Sequence, residues 1–353
     1  MIKYIGSKRV LLPQILAAIG GVLPVGATVL DLFSGTARVG HALKGAGWRV
    51  VANDHNAYAH TLATCYVQAD AETWADPARR IIADLNRLPG APGWFTQTYC
   101  IESRYFHPDN GARVEAMRHA IAALHAEPVL EAVLLTALLE AADRVDSTAG
   151  LQMAYMKQWA PRALRPLELR LPAMQPRPAA GACEALCAEA EVAAAAVDCD
   201  LAYLDPPYNQ HSYLRNYHVW ETLVRWDAPE TYGIARKRLD CRTRISAFNS
   251  RPGIGPALAR TIAALRAPTL LVSFNDEGYL ARPALEAMLA HKPHLRVLEI
   301  PHGRYVGAKI GIHNPRGEKV GTVGRLTNIE HLFLASDYPL DRLTARIAEP
   351  VPA

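Results

Sequence analysis

Asp205-Pro206-Pro207-Tyr208 directly follows the apolar run Leu201-Ala202-Tyr203-Leu204, and these residue types in this order suit one kind of chemistry. Each proline fixes its φ at about −65° and lacks an N–H, so the pair ends sheet pairing and holds the preceding carbonyls in one orientation. A carboxylate, fixed acceptors and an aromatic face are thereby presented together at a strand end. That set matches a planar base with an exocyclic amino group, whose nitrogen is a poor nucleophile because its lone pair is delocalised into the ring. Hydrogen bonds accepted by Asp205 and by the carbonyl of Pro206 draw the nitrogen toward a pyramidal geometry. Tyr208 stacks on the base, an interaction of roughly 1–3 kcal/mol. The same four residues would also serve as an ordinary turn closing a strand.

A second group of residues points to a cofactor. Thr28-Val29-Leu30-Asp31-Leu32-Phe33-Ser34-Gly35-Thr36-Ala37-Arg38-Val39-Gly40 reads as a buried strand, a glycine-containing loop and the start of a helix. Gly35 lets the backbone approach a ligand, and a doubly wound sheet binds ligands at the carboxyl ends of its strands. The loop has neither the Gly-Lys-Ser/Thr phosphate-binding pattern nor GxGxxG, which disfavours ATP and a dinucleotide. Trp48 to Asp54 reads as the next strand, ending in an acid about 20 positions after the loop, where ribose hydroxyls are commonly taken. Asp54 also suits the cap of a following helix.

These groups must be positioned by a larger framework. The catalytic strand follows the cofactor strand by about 170 positions, far more than the intervening βα units need, so a segment is inserted. Residues 74–161 read mainly as helices, with Val129, Leu130, Val133, Leu134, Leu138 and Leu139 on one stripe. The proline-rich stretch Pro161 to Pro178 reads as extended, and Ala182 to Ala196 as an alanine-rich helix before the catalytic strand. Thr269 to Phe274 and His294 to Ile300 supply later strands. The expected fold is α/β, a doubly wound mostly parallel sheet with a largely helical insertion. The core comprises 1–70 and 180–345, and 71–179 forms the insertion, a candidate DNA target-recognition region.

At 353 residues and half apolar, the chain can bury a large core. No apolar segment follows Met1-Ile2-Lys3-Tyr4, and the apolar run Pro128 to Ala142 is interrupted by Glu131 and Glu140, so a cytoplasmic protein without membrane span is expected. Cysteines 65, 100, 183, 187, 199 and 241 lack paired zinc spacing and read as free thiols, with no metal site. The net charge of +4 permits nucleic acid without suggesting it. Its distribution says more. Arg236, Lys237, Arg238, Arg242 and Arg244 form a cluster interrupted by Asp240, suited to phosphates near a target nucleotide. Arg304, Lys309, Arg316, Lys319 and Arg325, interspersed with glycines, suggest a second basic stretch on a hairpin near the carboxyl end.

The chain resembles the S-adenosylmethionine-dependent DNA methyltransferases that modify exocyclic amino groups, in particular the bacterial adenine-specific group. The resemblance is carried by Lys3-Tyr4-Ile5-Gly6-Ser7-Lys8, Asp31-Leu32-Phe33-Ser34-Gly35, Asn53-Asp54 and Asp205-Pro206-Pro207-Tyr208-Asn209, in the family's order. Further matching stretches are Asp143-Arg144-Val145, Ala154-Tyr155-Met156-Lys157, Asn216 to Thr222, Ser273 to Gly278 and Arg325 to Phe333. The resemblance implies a Rossmann-like methyltransferase core in which Tyr4, Gly6 and Lys8 lie beside the methionine end of S-adenosylmethionine. Lys8 would neutralise its carboxylate, Asp31 face its amino group, Phe33, Ser34 and Gly35 line the loop beneath it, and Asp54 bind its ribose. Asp205 would touch both cofactor and base. A further acid often found near the adenine has only a weak counterpart here, Glu184. The implied reaction is direct methyl transfer, without a covalent enzyme intermediate, to a base flipped out of double-stranded DNA. Adenine N6 is favoured, with cytosine N4 on the same plan as the alternative. A cognate restriction endonuclease would be a partner. An RNA or protein-amide methyltransferase, and an inactive DNA-binding subunit, are the other readings.

Overall fold

The computed structural model describes residues 1–303, 312–313, 319–321 and 327–340. Seven strands form one sheet: β1 (Thr28–Asp31), β2 (Arg49–Asn53), β3 (Glu184–Leu186), β4 (Leu201–Leu204), β5 (Thr269–Asn275), β6 (His294–Gly303) and β7 (Thr327–Ser336). Their order across the sheet is β3-β2-β1-β4-β5-β7-β6. The first five run parallel, and β7 lies antiparallel to both β5 and β6. The continuous apolar composition of β4 and β5 has its cause here, because every residue of both strands is buried except where β4 gives way to Asp205.

The two sheet faces carry separate cores. Val29, Val50, Leu201 and Tyr203 point to one face, where they join residues of helices Leu12–Val22, Ala57–Ala63, Pro108–Ala123 and Pro128–Arg144. Leu30, Val51, Ala202 and Leu204 point to the other, beneath helices Ala190–Ala196, Arg251–Ala264 and Arg282–Leu289. This alternation follows from the two-residue period of a strand. Residues 71–144 are largely helical, while 145–179 hold only the short turn Pro161–Leu164; Leu134, Leu138 and Leu139 belong to the same core as the sheet. No helix among the described residues is long and apolar enough to cross a membrane.

The alanine-rich segment departs from expectation. Residues 182–196 are not one helix: Glu184–Leu186 is the edge strand β3, paired parallel to Val51–Asn53, and the helix begins only at Ala190. Pairing with β2 overrides alanine's helix preference. Cys183 is buried and Cys187 exposed. Near the carboxyl end, Ile312–His313 and Lys319–Gly321 pair antiparallel, while Arg304, Lys309, Arg316 and Arg325 of the second basic stretch and the core's bound at 345 lie outside the described residues.

Candidate active site

The strand order reverses between β1 and β4, which opens a crevice at their carboxyl ends. A cavity partly open to solvent lies there. Of the cofactor-side residues singled out in the sequence, Tyr4, Gly6, Lys8, Asp31, Phe33, Ser34, Gly35, Asp54 and Asp205 all line it. Pro207 does too, whereas Pro206 and Tyr208 do not. Tyr208 packs its ring against Phe274 at 5.5 Å.

The amino-terminal segment reaches the crevice because three contacts tether it. The Lys3 N–H donates to Asp143 Oδ2 at 3.0 Å, and Lys3 Nζ donates to Asp146 Oδ1 at 2.8 Å. The Ile5 N–H donates to the Tyr217 hydroxyl at 2.6 Å. Tyr4 is then held between Tyr213 and Tyr217, with ring centroids 5.0 and 4.6 Å away and planes nearly parallel. Asp143 and Tyr217, noticed in the sequence as familiar, thus hold this segment.

The loop after β1 turns through Gly35 at φ +52° and Ala37 at φ +58°. A Cβ on Gly35 would lie 3.2 Å from the Tyr4 ring, in addition to the backbone strain. Asp54 Oδ2 accepts the Gly35 N–H at 3.1 Å, and its Oδ1 accepts the Asn56 N–H at 2.9 Å. Asn53 ties the neighbouring loops together, donating to the carbonyls of Leu32 and Ala188, both at 3.1 Å. Asp31 is buried, accepts the Gly40 N–H at 3.0 Å, and burial pushes its carboxyl up to about 7.

The carboxyl end of β4 is organised around Lys8, only 7 % exposed. Its ammonium lies 2.9 Å from Asp205 Oδ1 and 2.6 Å from Glu330 Oε1. Burial pushes the Asp205 carboxyl up to about 6; Lys8 opposes the rise and Glu330 adds to it. The Lys8 charge is therefore shared between two carboxylates of this chain.

The basic cluster divides. Arg244 lines the cavity and donates to Glu221 Oε1 at 3.0 Å. Arg236 pairs with Glu102 at 3.1 Å, Lys237 Nζ lies 3.2 Å from Met153 Sδ, and Arg242 stacks over Tyr232. Arg238 is a correction: it is interior, 2 % exposed, with its guanidinium forked onto Asp227 at 2.7 Å through both terminal nitrogens and onto Asp240 at 3.1 Å. Asp227 and Asp240, close on either side in the sequence, were the available signal for that pairing.

Sequence reasoning also missed cavity-lining residues. Glu184 is exposed and pairs with Arg49 at 2.5 Å, whereas Glu189 lines the cavity after β3. Phe248 meets Phe33 edge-on at 5.1 Å. The Ser34 and Tyr203 hydroxyls, both at lining residues, are buried without a partner among the described residues. Paired acids, an apolar Phe33–Phe248 wall, an approachable loop at Gly35 and unpartnered hydroxyls together fit an amino acid joined to a nucleoside.

Fold and crevice define a Rossmann-like methyltransferase. The chain belongs to the D12 class N6 adenine-specific DNA methyltransferase family, whose model matches residues 4–246. Among curated relatives, the type II methyltransferase M.NlaIII of Neisseria lactamica is 29% identical over 289 residues, 79% of this chain and 84% of that protein. The type II methyltransferase M.FokI of Planomicrobium okeanokoites is 27% identical over 325 residues, 86% of this chain but 49% of its own length. The type II methyltransferase M.CviAII of Paramecium bursaria Chlorella virus 1 is 25% identical over 283 residues, 78% and 83% of the two chains. Enzymes of this family use S-adenosylmethionine, and their target is the adenine N6 amino group of DNA.

Proposed function

We propose that this chain methylates adenine N6 at a specific site in double-stranded DNA, with Asp205 and the Pro206 carbonyl accepting the two N–H bonds of a flipped base and Tyr208 packing on its face. The observation that carries the reading is the position of Asp205 in the cavity at the sheet's switch point, together with Asp31, Gly35 and Asp54, with the Lys8 ammonium 2.9 Å from its Oδ1. Bound S-adenosylmethionine supplies an electrophilic methyl group. The chain's residues align the two reactants and strengthen the acceptor nitrogen. Asp31 and Asp54 take the amino group and ribose, while the Lys8 ammonium stays anchored to Asp205 and Glu330. A cytoplasmic location and a cognate restriction endonuclease as partner belong to the same proposal.

The DNA side is proposed to include the hairpin Thr231–Tyr232 and Lys237–Arg238 together with the Ser147 to Trp159 loop of the insertion. Ile234 stands at the hairpin tip, 83% exposed, between Gly233 and Arg236, both with positive φ. Arg236, Lys237 and Arg242 flank it, and an apolar side chain on a basic arm suits insertion between base steps. In the deciding experiment, labelled methyl is transferred to duplex DNA, which is digested and its nucleosides identified by mass. N6-methyladenine is expected. Asp205→Ala should abolish transfer and retain cofactor binding; near-normal turnover in that variant would sink the assignment.

A further inference from the structure

Glu330 lies on β7, beyond the stretch matched by the family model, yet it makes the shortest contact with the Lys8 ammonium. We propose that Glu330 is a positioning residue for methyl transfer: as the counter-ion of Lys8, it fixes that ammonium against one oxygen of Asp205 and leaves the Asp205 carboxylate a net negative charge with which to accept the target amino group. The inference rests on the reading of Asp205 given above.

The antiparallel register of β7 on β5 sets Glu330 opposite Asn275 and Leu332 opposite Ser273, which brings Glu330, Ser273 and Asn275 to one face. Ser273 Oγ donates to Glu330 Oε1 at 2.5 Å and Asn275 Nδ2 donates to Oε2 at 3.2 Å. With Lys8 at 2.6 Å, three donors hold one buried carboxylate. Burial would raise the Glu330 carboxyl, but Lys8, Ser273 and Asn275 together hold it below the ordinary range, so it stays ionised. Asp205 receives one donor, Lys8, and is pushed the other way. A buried ammonium paired with Asp205 alone would make a neutral pair and a weak acceptor. Two carboxylates on one ammonium leave one negative charge over, and it falls on the less solvated-by-donors partner, Asp205. The other titratable groups around Asp205 are Asp31 on β1 and the tyrosines 203, 208 and 213, whose hydroxyls burial keeps neutral.

The test is Glu330→Gln in the full chain, assayed for methyl transfer to duplex DNA over the acidic and neutral range. We expect kcat to fall at least about ten-fold, cofactor affinity to hold, and the acid limb of kcat/KM to move to lower pH, because a neighbouring negative charge has been removed. Glu330→Asp, which keeps the charge, should return the limb toward its wild-type position. A Glu330 that only braces the sheet would lower Tm and kcat together with an unmoved limb, and that result overturns the proposal. If Glu330→Gln does not fold, Lys8→Met serves: the uncompensated Glu330 charge should then move the limb to higher pH, and a stationary limb again overturns it. Wild-type protein that transfers no methyl to DNA would instead overturn the functional reading itself.

Discussion

The Asp54 carboxylate accepts the Gly35 N–H at 3.1 Å, so the acid ending β2 holds the loop that follows its neighbour β1. One residue thereby shapes the Gly35 loop with one oxygen and, through Asn56, starts the following helix with the other. Gly35→Ala should disturb this arrangement, since its φ of +52° costs an L-residue roughly 1–2 kcal/mol and the new methyl would press on Tyr4. Calorimetric titration with S-adenosylmethionine should show affinity reduced by about ten-fold, with duplex affinity preserved.

Asp205 titrates close to the working range. With its carboxyl pushed up to about 6, the ionised acceptor is present above that pH and lost as pH falls through it. The kcat/KM for DNA should therefore decline below about 6. Asp205→Asn, similar in shape but without the charge, should flatten the dependence at a very low rate.

The basic cluster should separate into framework and surface when mutated. Arg238→Ala removes the interior guanidinium and its hydrogen bonds, leaving Asp227 and Asp240 with Arg225 alongside, and a hydrogen bond to a charged group is worth about 1.5–3 kcal/mol, read as a lowered denaturant midpoint. Lys237→Ala and Arg242→Ala should leave that midpoint unchanged and each reduce the salt dependence of DNA binding by about one unit of slope. Equal effects from all three would show that the division is wrong.

His218 is fully buried, with Nε2 3.0 Å from the Gln152 carbonyl and 3.3 Å from the Tyr105 hydroxyl. Burial drives its pKa down to about 3. Between about 6.5 and about 3 the unfolded chain takes a proton that the folded chain refuses, so stability falls by about 1.4 kcal/mol per pH unit as pH drops. Chemical denaturation at several pH values should give a shallower decline for His218→Gln than for wild type.

Much of the fold was legible because its strands are apolar runs ending in chemically distinctive residues: Leu30-Asp31, Asn53-Asp54 and Leu204-Asp205. β3 was not, since Ala185 and its alanine-rich surroundings carry helix propensity and only pairing with Val51 to Asn53 makes a strand. The glycine turn after β1 could be read from local order alone. Glu330 could not, because its meaning depends on Lys8, brought to it only by the antiparallel return of β7. Arg238 misled for a related reason: adjacent basic residues look alike until the turn at Asp227 and Asp240 selects one for the interior.

That antiparallel return has a consequence for when the enzyme becomes competent. β7 enters between β5 and β6, strands already synthesised, and delivers Glu330 to a lysine made near the start of translation. On the Lys8–Glu330 role proposed above, methyl transfer awaits insertion of β7 between β5 and β6.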